Sequence, residues 1–111
     1  MTFHNCISPR THSIIERMYS EIKPCYHAAS LRTLARDIAH VNPIEAVAVA
    51  KLSLGVDRHE GIQAFAELAL LYTDLNPPLA RDLVMRALYI CRAFKMHNEL
   101  LLNISAKISK L

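Results

Sequence analysis

Apolar positions in this chain recur at intervals of three and four residues, with polar positions filling the gaps. "CYHAASLRTLARDIAHV" (25–41) sets Leu31, Leu34, Ala35, Ile38 and Val41 on one stripe, the mark of a helix that buries a single face. "IQAFAELALLYTDL" (62–75) does the same with Phe65, Leu68, Ala69 and Tyr72, but leaves Leu70 and Leu71 on other faces. One segment, "VAVAKLSL" (47–54), alternates like a strand. Its alanine content and the proline that opens it argue for helix instead. The breakers fall between the periodic runs. Pro24 opens one helix, Gly55 is read as the C-cap of another, and Asp57 with Glu60 makes a capping box. The pattern predicts six helices, near 10–22, 25–41, 43–54, 58–75, 77–93 and 97–110, with residues 1–8 flexible. Connections this short make sequential helices antiparallel.

Two of the breakers are alike. "LARDIAHVNPIEAVAVAKLSL" (34–54) aligns on "LALLYTDLNPPLARDLVMRAL" (68–88) so that Asn42-Pro43 falls on Asn76-Pro77, an interval of 34. Leu34/Leu68, Ala35/Ala69, Ala46/Ala80 and Leu54/Leu88 coincide in that register. The same step back reaches Ser8-Pro9, and the same step forward from Leu68 reaches Leu102. Each Ser/Asn-Pro pair is one device: a side-chain cap, then proline at the first helical position, where its missing N–H costs nothing. A helix pair repeating at such an interval predicts an all-α stack of three helical hairpins in a single domain over 1–111.

A unit of this length and form resembles the tetratricopeptide repeat. Leu34 and Leu68 match the family's leucine before a small residue, here Ala35 and Ala69, while Phe65 and Tyr72 match the flanking aromatics. Ala46 and Ala80 match the alanine of the second helix, and Ala87 the one that closes it. The chain departs from the pattern in lacking the closing proline, and its third unit, "NELLLNISAKISKL", holds a first helix only. The resemblance implies a concave groove lined by the first helix of each unit. Its positions here would be Arg32, Arg36, Ala39 and His40, then Ala66, Leu70, Thr73 and Asp74, then Leu100 and Ile104.

Composition narrows the function classes. Apolar residues make up 52% of the chain, glycine is nearly absent, and the net charge of +3 comes from bases interleaved with acids. No basic cluster marks a nucleic-acid binder, and no apolar run reaches the length of a membrane span. Neither a secretory leader nor a Cys-x-x-Cys pattern is present, so Cys6, Cys25 and Cys91 read as reduced thiols in a cytoplasmic protein. The six histidines show no metal-ligand spacing, and neither a nucleophile–base pair nor a glycine-rich phosphate loop is found. The expectation is a binding protein, without metal, cofactor or catalytic residues.

A helix apolar on nearly every face is either enclosed or covered by a partner. The partner expected is an amphipathic helix of another protein, held by Ala66, Leu70, Thr73, Leu100 and Ile104, with Arg36 and His40 at the polar end. Leu101, Ile108 and Leu111 make the last helix a poor polar cap and predict a terminal interface there. By size and architecture the chain is similar to the tetratricopeptide-like chaperones of bacterial type III secretion, in particular the needle-subunit class. That resemblance implies a needle-subunit helix as cargo, together with a small helical co-chaperone. The alternatives are a self-assembling scaffold that pairs as a homodimer and, behind it, a nucleic-acid-binding regulator.

Overall fold

A computed structural model describes residues 7–109, all α-helix and connecting turns. The helices are α1 (Pro9–Glu21), α2 (His27–Ile38), α3 (Pro43–Val56), α4 (Arg58–Leu75), α5 (Pro77–Phe94) and α6 (Glu99–Ile108). A 3-10 turn, Pro24–Tyr26, leads into α2.

The three spaced caps all operate. Ser8 Oγ accepts from Thr11 N, Asn42 Oδ1 from Glu45 N and Asn76 Oδ1 from Leu79 N, each with proline following. Of residues 1–8, expected to be flexible, Ser8 caps α1 and Ile7 packs on the core. The rest of that stretch, residues 1–6, lies outside the described residues, as does Leu111. Ser8 N also donates to Oε2 of the buried Glu45 at 2.6 Å, which brings the start of α1 beside the start of α3.

Gly55 does not cap α3. The helix runs through it to Val56, and Asp57 serves as C-cap of α3 and N-cap of α4 at once. Asp57 N donates to Ser53 O, while its carboxylate accepts from His59 N and Glu60 N. The glycine that geometry demands is Gly61, where a Cβ would stand 2.2 Å from Leu54 Cα. There α4 crosses the last turn of α3 with backbone nearly on backbone.

The core is a layer of small and branched side chains centred on α4, which packs against α2, α3, α5 and α6. That position explains the apolar faces of α4: Ile62, Phe65, Ala66, Leu68, Ala69 and Tyr72 are all buried. The Tyr72 hydroxyl donates to Ala39 O at 2.6 Å and closes the end of α2 onto α4. At the other end of α4, the Arg58 guanidinium lies 3.8 Å over the Phe94 ring at the end of α5.

Candidate functional site

Along one side of the molecule α2, α4 and α6 lie in contact order, joined by a polar seam. Arg32 on α2 donates through Nε to Glu60 and through Nη1 to Glu67, both at 2.8 Å. Gln63 Nε2 donates to the same Glu67 oxygen at 3.1 Å, and Asn98 Nδ2 donates to Gln63 Oε1 at 3.0 Å. Asn98 is itself the N-cap of α6, so the seam positions that helix as well as α2. Burial works against the charge on Arg32. Hydrogen bonding to Glu60 and the nearby carboxylate charges outweigh it, holding the guanidinium pKa above its ordinary value.

Beside the seam lies a depression of about 470 Å³ lined by Arg36, His40, Glu67, Leu70, Leu71 and Leu100. The basic and apolar residues expected from α2, α4 and α6 meet here, with Leu70 46% exposed. Arg36 Nη1 lies 3.7 Å from Glu67 Oε1, an ion pair too long for a hydrogen bond. Glu67 Oε1 is buried and accepts no hydrogen bond, so the one acid of the depression has acceptor capacity in reserve.

Other expected contact residues are turned inward. Ala66, Thr73 and Ile104 are buried, and the Thr73 hydroxyl donates to Ala69 O at 2.8 Å. Leu101 and Ile108, expected at a terminal interface, are core residues too. The physical reason lies in packing: α4 and α6 cover one another, and α6 also packs on α5, so these particular side chains are consumed within the chain. Arg32, expected among the groove positions, is engaged in the seam. Leu102, which the interval of 34 sets in line with Leu34 and Leu68, is exposed, while Leu101 takes the core position.

Glu67, Gln63 and Asn98 were missed by the sequence reading. The local signal was present, since Gln63 and Glu67 stand four apart as the polar positions of an apolar helix and Asn98 precedes a helix. Their joining across 35 residues of chain is a tertiary fact. Among the described residues no group of His, Cys, Asp and Glu is placed to hold a metal ion, and no helix is long and apolar enough to cross a membrane. No family model, no curated protein and no solved structure matches the chain.

Proposed function

We propose that the chain is a protein-binding adaptor or chaperone that holds an amphipathic helix of its partner against α2, α4 and α6. The observation that carries this reading is the convergence of Arg36, His40, Leu70, Leu71 and Leu100 from three helices on one depression. Leu70 and Leu100 offer apolar anchorage, Arg36 and His40 a polar end suited to an acidic residue or a terminal carboxylate. The seam beneath fixes the spacing of the three helices before the partner arrives, which lowers the ordering cost of binding. The type III secretion reading belongs here as the more specific form: a cytoplasmic chaperone for a needle subunit, acting with a small helical co-chaperone.

Leu70→Asp tests it. Because Leu70 is half exposed, the variant should keep the helical circular dichroism and melting temperature of the parent. Affinity for the partner purified with the protein from its native host should fall by at least about tenfold, as loss of a central apolar anchor implies. Unchanged affinity would sink the reading. For the specific form, co-expression with the host's needle subunit should yield a soluble complex that Leu70→Asp disrupts; no complex at all would leave only the general adaptor.

A further inference from the structure

A second trough lies between α3 and α5. Both helices open with an Asn-Pro cap, and both pack on α4, which leaves a valley between them floored by Phe65. Two adjoining depressions of about 520 and 510 Å³ make up the valley, and Lys51 and Arg86 border both. Ile44, Met85 and Tyr89 line it while remaining 70%, 64% and 74% exposed. On α3 the lining runs from Pro43 to Leu54, a length of roughly 16 Å at the helical rise.

Charge decides what fits. The one acid in the lining, Asp82, already pairs with Arg86 at 3.1 Å. Lys51 stands where the two depressions adjoin, and among the described residues it has no ion-pair partner. An apolar valley of three helical turns with one excess positive charge at its centre is complementary to an amphipathic helix bearing a carboxylate between its apolar anchors. We propose that the α3–α5 trough docks such a helix from a protein partner, with Met85 and Tyr89 packing on its apolar side chains and Lys51 pairing its central Asp or Glu.

The site is separate from the Leu70 depression and stands without it. Its probe is a fluorescein-labelled helical peptide of about 14 residues, enough for some four turns. It carries leucines at three- and four-residue spacing and one central glutamate, and a twin peptide carries lysine in the glutamate's place. Anisotropy should show saturable binding of the glutamate peptide below about 1 mM and at least about tenfold weaker binding of the twin. Met85→Asp should abolish binding and Lys51→Glu should reverse the preference between the two peptides, both at unchanged melting temperature, since both side chains are exposed. Leu70→Asp should leave the binding intact, so failure of the proposed function and failure of this site are told apart. The proposal is overturned by absence of saturation, by equal binding of the two peptides, or by sensitivity to Leu70→Asp in place of Met85→Asp. It is equally overturned if light scattering shows a dimer of the chain that Met85→Asp dissociates, because a second copy would then be the occupant.

Discussion

Gly61 and Gly55 show how differently one residue type can behave along a single chain. A Cβ at Gly61 meets the Leu54 backbone at 2.2 Å, whereas one at Gly55 meets nothing within 4 Å. Gly61→Ala must therefore push α4 off α3 and should cost roughly 1–3 kcal/mol by overpacking. Gly55→Ala, helical and unobstructed, should gain up to about 1 kcal/mol from a stiffer unfolded chain. Urea denaturation checks the pair, and equal effects would contradict the crossing described. Burial also governs two ionisable groups: it raises the pKa of the Tyr72 phenol and of the Cys91 thiol above their ordinary values. In the unfolded chain these groups ionise near pH 9 for the thiol and 10 for the phenol. The folded groups hold their protons to higher pH, so their contribution is full below the unfolded pKa and is lost as pH rises towards the folded one. Stability should decline from about pH 9 upward, less steeply at the alkaline end in Tyr72→Phe. Native alkylation should mark the exposed Cys25 and spare Cys91 until the chain unfolds. A pH profile in Tyr72→Phe identical to the parent's would tell against the buried phenol.

At the scale of elements, the helix starts were the legible part. Ser8, Asn42, Asp57 and Asn76 all cap as the sequence predicts, because a cap needs only its own side chain and the next three residues, whereas Asn98 caps α6 where helix was expected from residue 97. Helix ends were less so. α2 stops at Ile38, short of Val41, and is preceded by a 3-10 turn where continuous helix was expected. α5 ends on Lys95 in the left-handed conformation (φ 54°, ψ 48°), a place that glycine fills at less cost. Lys95→Gly should raise stability by about 0.5–1 kcal/mol, read as a higher melting temperature. A drop would mean that the lysine side chain contributes more than its backbone costs. From the turn at Lys95 the chain runs to Asn98, which caps α6. The 34-residue spacing that places the caps of α1, α3 and α5 does not carry to Leu102, which stays exposed in α6.

For the molecule as a whole, the all-α class followed from periodicity, and half of the candidate groove followed with it. Arg36, His40, Leu70 and Leu100 reach one depression, while Ala66, Thr73 and Ile104 are spent on the core. A helical wheel gives the faces of α4 but not the number of helices that will claim them, and here four do. The α3–α5 trough escaped the sequence reading altogether, because Ile44, Met85 and Tyr89 lie off the buried stripes of their helices and only the fold sets them along one valley. The molecule thus offers two dissimilar faces on either side of α4, one bordering a neutralised polar seam and one with a lysine that is unpaired among the described residues. The joint at Asp57 bears on how those faces relate. One residue ends α3 and starts α4, so there is no spare backbone to lengthen, whereas Lys95 to Asn98 connect α5 to α6 with residues to spare. For a protein engineer, a tag or split point belongs after Lys95. Placed at Asp57, the same insertion would uncouple the helix that lines the trough from the helix that supports both faces.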